Sequence, residues 1–236
     1  MLLTQNMSKE SLPINDEKRV KALEAYGITD TKPERDYKDL AKLAKSICNT
    51  KIALITFIDK DTQWFKVHEG TDVNKNTREL ALCTHALNHP DELTYASDTL
   101  KDDRFKDNPI VTGPANIRFY AGAPLVNSEC YVLGTICVMD HSPKVLNKKQ
   151  KNALMLLARQ VMNLLEVRRS NFTLKKHEKQ LEEKNKELEN FAAAVSHDIK
   201  GPLNNIYSIT QLLRLENEQQ LNETGKEYLD YLSRSD

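Results

Sequence analysis

Arg118-Phe119-Tyr120-Ala121-Gly122-Ala123-Pro124-Leu125-Val126 and Tyr131-Val132-Leu133-Gly134-Thr135-Ile136-Cys137-Val138-Met139-Asp140 are apolar, β-branched and aromatic runs separated by the polar Asn127-Ser128-Glu129-Cys130. Such runs, bounded by turn residues, predict a β-hairpin. With apolar residues on both faces, it belongs at the heart of a sheet. Upstream, Ile52-Ala53-Leu54-Ile55-Thr56-Phe57-Ile58 predicts a strand, Asp59-Lys60-Asp61 a tight connection, and Gln63-Trp64-Phe65-Lys66-Val67 a second strand. The stretch between these pairs predicts a short helix over Glu79 to Leu87 and a short strand at Leu93-Thr94-Tyr95-Ala96.

Helical patterns frame the strands. Asn15-Asp16-Glu17 opens a short helix with Val20, Leu23 and Ala22 or Tyr26 on one face, and Gly27 is expected to cap its end. Pro33 suits the first turn of the next helix, whose apolar positions are Tyr37, Leu40, Leu43, Ala44 and Ile47. The first dozen residues are expected to be a flexible tail. Asn147 caps a long helix from Lys148, with Leu154, Leu157, Val161, Leu164 and Leu165 on its apolar stripe. Helices at both ends of a mostly antiparallel sheet make an α+β domain.

Farther along, Val167, Leu174, Leu181, Leu188 and Val195 recur every seven residues among mixed charges. The companion heptad position holds His177 and Lys184 before Phe191, so a weak parallel coiled coil is expected. A helix packed on its own domain is the plainer reading, but the strict period and flanking charge favour self-association. Beyond it, Ile206, Ile209, Leu212, Leu213 and Leu215 continue the helix. A polar turn lies within Glu216 to Gly225, and Tyr228-Leu229-Asp230-Tyr231-Leu232 begins another helix.

Within the long helix lies Phe191-Ala192-Ala193-Ala194-Val195-Ser196-His197-Asp198-Ile199-Lys200-Gly201-Pro202-Leu203-Asn204-Asn205-Ile206. It presents one histidine with an acid beside it. Pro202 cannot donate to the carbonyl of Asp198 and crowds that turn, so a distortion near His197 is expected. A lone histidine on a helix is usually only a solvated side chain. Neutral imidazole nevertheless offers a free lone pair, and its unperturbed pKa of about 6.5 leaves most of it neutral at physiological pH.

Composition excludes several classes. Lysine plus arginine and aspartate plus glutamate number 34 each, so no net field favours nucleic acid or an anionic membrane. No apolar run approaches the roughly 20 residues that span a bilayer. Met1-Leu2-Leu3-Thr4-Gln5-Asn6 lacks the basic and apolar regions of a secretory signal, so a cytoplasmic location is expected. Cys48, Cys83, Cys130 and Cys137 include no CxxC pair; Cys48 and Cys137 read as small buried hydrophobes, and disulfides are disfavoured in a reducing compartment. Cys83, His85 and His89 could suggest a metal, but Cys83 would not share the face of the two histidines and no fourth ligand is near, so no metal site is expected. Neither a bilin attachment nor a methionine sulfoxide reductase spacing is found around Cys83.

Two family resemblances follow. Ile52-Ala53-Leu54-Ile55, Gln63-Trp64-Phe65-Lys66, Asp102-Asp103-Arg104-Phe105, Asn108-Pro109, Phe119 to Leu125 and Leu133 to Asp140 resemble a GAF domain over residues 13–168. That implies a sensory module with a small-molecule ligand or none. Ser196-His197-Asp198-Ile199-Lys200-Gly201-Pro202-Leu203 resembles the phospho-acceptor box of sensor histidine kinases. This implies that His197 takes a phosphoryl group from ATP and passes it to an aspartate of a response-regulator receiver. It also implies that Asp198 orients or activates His197, stabilising the imidazolium as it forms. Gly201 departs from the Thr or Asn usual four residues after the histidine and has no side chain to position a hydrolytic water.

The expected architecture is thus a flexible tail over 1–12, a GAF domain over 13–168, a coiled-coil helix over 169–190 and part of a dimerising phospho-acceptor hairpin over 191–236. The family hairpin forms a four-helix bundle in a homodimer, and an ATP-binding kinase domain follows it. These residues contain no Gly-rich nucleotide loop, so ATP is expected to act only through such a domain in cis or in trans. The alternative is a non-catalytic GAF sensor and dimerisation protein derived from such a kinase.

Overall fold

The computed structural model describes residues 13, 15–29, 31–32, 34–217 and 220–233. The expected tail and Pro33 lie outside the described residues. The chain divides after Phe172 into two compact units.

Six strands build the first unit: β1 (Ile52–Ile58), β2 (Thr62–Glu69), β3 (Lys75–Thr77), β4 (Thr94–Ala96), β5 (Phe119–Val126) and β6 (Val132–Asp140). Their order is β3-β2-β1-β6-β5-β4, and every pairing is antiparallel. The hairpin expected from residues 118–140 is β5–β6, and β6 lies centrally against β1. Gly134 is required there. A Cβ at that position would lie 1.9 Å from the Thr56 carbonyl oxygen and 2.8 Å from the Phe57 Cα.

The central strands are buried on both faces, which explains their unbroken apolar runs. On one face Ala53, Ile55, Phe57, Ala121, Ala123 and Val138 pack under α1 (Asp16–Glu24), α2 (Arg35–Cys48) and the start of α4 (Lys148–Asn217). On the other, Leu54, Ile58, Tyr120 and Cys137 are covered by short irregular segments carrying Leu82, Cys83, Leu87, Phe105 and Val111. Among those segments is α3 (Pro109–Thr112), whose first turn is capped by the Asn108 side chain accepting the Ile110 N–H at 2.9 Å.

Several local expectations need correction. The helix expected over Glu79 to Leu87 is instead two 3-10 turns, Arg78–Leu80 and Leu82–Ala86, interrupted by extended Ala81. β3 is a polar edge strand that no apolar alternation announces. Ala25 rather than Gly27 caps α1, while Gly27 (φ 55°) turns the chain two residues later. Arg19, not Val20, joins Leu23 and Tyr26 in the interior. Its Nε donates to Asp16 at 2.7 Å and its Nη1 to the Ile58 carbonyl at 2.5 Å, so its charge is paired and hydrogen-bonded, as burial demands. On α2 the buried row is Tyr37, Ala41, Ala44 and Cys48, and Leu43 is 48% exposed because it falls outside that stripe.

The start of α4 follows its sequence. Asn147 Oδ1 accepts the Gln150 N–H at 2.9 Å while Gln150 Oε1 accepts the Asn147 N–H at 3.0 Å, a reciprocal capping box. Leu154, Leu157, Val161 and Leu165 are buried against the sheet. Polar contacts add to this packing: Arg168 pairs with Glu34, which also holds Lys66 Nζ at 2.6 Å. Lys66 is almost completely buried and donates further to Thr31 Oγ1 and the Lys32 carbonyl, each at 2.6 Å.

In the second unit α4 continues without interruption to Asn217, and α5 (Glu223–Ser233) follows. The distortion expected from Pro202 does not end the helix, which runs through that position. Proline removes a single intrahelical hydrogen bond, and on this exposed stretch water can satisfy the freed carbonyl. Arg214 on α4 pairs with Asp230 on α5 at 2.6 Å. No described helix is long and apolar enough to cross a membrane.

Candidate functional site

The candidate site is a projecting side chain rather than a cavity. His197 lies mid-helix on α4 with its side chain 90% exposed, and Asp198 beside it is 82% exposed. Consecutive residues on a helix do not ordinarily face each other. Here the carboxylate nevertheless reaches back, placing Asp198 Oδ1 3.3 Å from His197 Nδ1. With Nδ1 as the donor, Nε2 keeps the free lone pair and points it at solvent, the arrangement a nucleophilic imidazole needs. The two predicted site residues therefore meet, at the long end of hydrogen-bonding distance.

The surroundings follow from helical repeat. Ser196, Lys200 and Gly201 are exposed, and a Cβ at Gly201 would meet nothing within 4 Å. Apolar residues flank the histidine along the helix: Phe191 is 65% exposed, Ile199 52% and Leu203 53%. The seven-residue series upstream is also turned to solvent in the single chain.

The two units carry different family signatures. Residues 33–165 match the GAF domain, more than half of the chain. The chain belongs to the GAF domain family. Residues 187–235, which include His197 and Asp198, match the His Kinase A (phospho-acceptor) domain. The protein thus joins a GAF domain to a phospho-acceptor domain of the histidine kinase signalling family.

A cyclic di-GMP phosphodiesterase from Pseudomonas aeruginosa is 34% identical over 138 residues, 58% of this chain. The chain spans only 23% of the length of that curated relative. Among solved structures, the GAF domain of an Acinetobacter phosphoenolpyruvate-protein phosphotransferase aligns with a TM-score of 0.48 at 13% identity, covering 67% of this chain and 97% of that one. A type II free methionine-R-sulfoxide reductase from Thermoplasma acidophilum aligns at 0.46 and 12% identity, over 55% of this chain and 89% of its own.

Inside the GAF domain, sequence reasoning missed a buried polar cluster. Cys83, Cys137, Thr56, Thr135, Gln63 and Tyr120 are all buried. Gln63 Nε2 donates to Cys83 Sγ at 3.1 Å and to Thr56 Oγ1 at 3.2 Å, and the Thr56 and Thr135 hydroxyls are 3.4 Å apart. The signal was present as polar residues interrupting apolar strands: Thr56 in β1, Gln63 in β2 and Thr135 in β6.

Proposed function

We propose that this protein is a signalling component of a two-component system in which the GAF domain controls phosphorylation of His197. The carrying observation is the solvent-projecting His197 with Asp198 at its Nδ1, inside the stretch that matches a phospho-acceptor domain. Nε2 attacks the γ-phosphorus of ATP held by a kinase domain in cis or in trans, forming the P–N bond as ADP leaves. Asp198 holds the tautomer and stabilises the imidazolium. The phosphoryl group then passes to an aspartate of a response-regulator receiver, a transfer that requires the exposure found at His197.

We assign residues 13–168 to the sensor, 169–190 to a coiled-coil signalling helix and 191–236 to the acceptor region, acting as a parallel homodimer in the cytoplasm. The unbroken α4 supports coupling, because a continuous helix transmits a shift or rotation that a flexible linker would absorb. A small-molecule ligand of the GAF domain would bias the acceptor by its difference in affinity for two sensor arrangements.

The test is phosphotransfer in trans. The protein, a separate ATP-binding domain from a related kinase and labelled ATP should yield acid-labile label on His197, lost in His197→Gln and chased onto a receiver domain. ATP alone should give no label. Label retained in His197→Gln would overturn the assignment.

A further inference from the structure

The buried cluster of the GAF domain has a chemistry unrelated to phosphotransfer. Cys83 Sγ and Cys137 Sγ lie 4.0 Å apart, although the residues are 54 positions apart in the chain. All four cysteines are free thiols. Around the pair stand Gln63 Nε2, which donates to Cys83, and the Thr56 hydroxyl at 3.8 Å from the same sulfur. The Tyr120 hydroxyl is buried without a hydrogen-bond partner among the described residues, and burial, with the two sulfurs beside it, raises its pKa well above the ordinary phenol value. A purely structural cysteine pair needs none of these polar groups, since apolar side chains fill a core at lower desolvation cost.

We propose that Cys83 and Cys137 are a thiol–disulfide couple, Cys83 attacking a hydroperoxide and Cys137 resolving the product. The two sulfurs are inequivalent in the direction this requires. The hydrogen bond between the two sulfurs, with further hydroxyls around it, lowers the Cys83 value against the opposing effect of burial. The bond to Cys83 and its own burial hold the Cys137 thiol well above the ordinary thiol range. Gln63 Nε2 and the Thr56 hydroxyl both donate to the Cys83 sulfur, which makes Cys83 the nucleophile.

In the first step the Cys83 thiolate attacks one peroxide oxygen. The S–O bond forms as the O–O bond breaks, the alkoxide or hydroxide leaves with a proton, and Cys83 becomes a sulfenic acid. In the second step Cys137 attacks that sulfur, the S–S bond forms, and the hydroxyl departs with the Cys137 proton as water. Two electrons pass from the thiol pair to the peroxide, and a dithiol reductant returns them.

Access is through the Cys83 side. That residue sits on the 3-10 turn Leu82–Ala86, a short segment over the sheet, whereas Cys137 is locked in central β6. Short 3-10 turns have poorer hydrogen-bond geometry than a sheet strand. Of the two sulfurs, 4.0 Å apart, it is Cys83 on the turn that must shift to form the bond, since Cys137 is fixed in the sheet.

The experiment uses the full chain with Cys130→Ser, which removes the exposed thiol on the β5–β6 turn. After hydrogen peroxide treatment and alkylation, non-reducing peptide mapping should show a Cys83–Cys137 linked peptide that disappears on adding dithiothreitol. In Cys137→Ser, dimedone should label Cys83 as the trapped sulfenic acid. Gln63→Leu removes a donor to the attacking sulfur and should slow disulfide formation by about tenfold. Circular dichroism confirms that each variant is folded. Full alkylation of both thiols after peroxide, or sulfinic acid on Cys83 with Cys137 still free, would overturn the proposal. An unchanged rate in Gln63→Leu would overturn the assignment of Cys83 as the attacking thiol.

Discussion

Replacing Leu181 and Leu188 with lysine should dissociate the proposed dimer. Both leucines are 65% exposed in the single chain, so each has about two-thirds of its surface left to bury. Full burial of a leucine side chain contributes ~1.5–3 kcal/mol, so covering the remainder contributes ~1–2 kcal/mol. A two-chain seam contains four such side chains, giving ~4–8 kcal/mol, or ~10³- to 10⁶-fold in dissociation constant. Lysine stems can still cover part of the seam while their charges reach water, which favours the lower end. Lysine and leucine have similar helix propensity, so α4 itself should persist. Sedimentation equilibrium on parent and double variant, with circular dichroism to confirm helix content, measures the effect. A parent that is monomeric at micromolar concentration, or a variant that associates as tightly as the parent, would refute the heptad seam.

The other expectations concern coupling, chemistry and stability. Gly-Gly-Ser inserted after Arg169 should uncouple sensing from His197 phosphorylation, whereas an inserted heptad shifts the helical phase by only ~20° and should retain coupling; equal behaviour in a reconstituted assay would exclude transmission through the helix. Asp198→Asn should lower the phosphorylation rate of His197 by roughly 10²-fold with the protein still folded, as followed by labelled phosphate incorporation. Burial raises the Asp16 carboxyl, but hydrogen bonds from Arg78 and Arg19 outweigh it and hold the carboxyl below its usual value. A carboxylate depressed in the fold contributes stability above its unfolded pKa of about 3.9, and this is lost as pH falls through the folded value. Arg78→Met raises the folded value toward or past the unfolded one, so it should lower stability at neutral pH and flatten the acid loss, seen as urea midpoints that fall less on acidification; profiles parallel to the parent would show that the pair does not contribute.

Elements whose signal lies in consecutive residues were legible. β1 and the β5–β6 hairpin are unbroken apolar runs bounded by turn residues, as strands buried on both faces require, and the buried stripe of α4 repeats at helical spacing. The segment from Arg78 to Ala86 was not legible, since its 3-10 turns are short and follow the surface they cover rather than a repeat of their own. Arg19 shows the same limit. Its place inside depends on Asp16 and the Ile58 carbonyl accepting from its Nε and Nη1, and the Ile58 contact spans 39 residues.

The sequence by itself determined the sheet-and-helix architecture, the family of each unit and the candidate His197–Asp198 pair, because each rests on neighbouring residues along one element. Tertiary structure alone decided that Cys83 meets Cys137 and that Lys66 and Arg168 meet at Glu34. Those groups come from segments dozens of residues apart. Only the strand order, with β6 beside β1 and the Leu82–Ala86 turn packed over the sheet, brings the two sulfurs together, and no local period records that pairing.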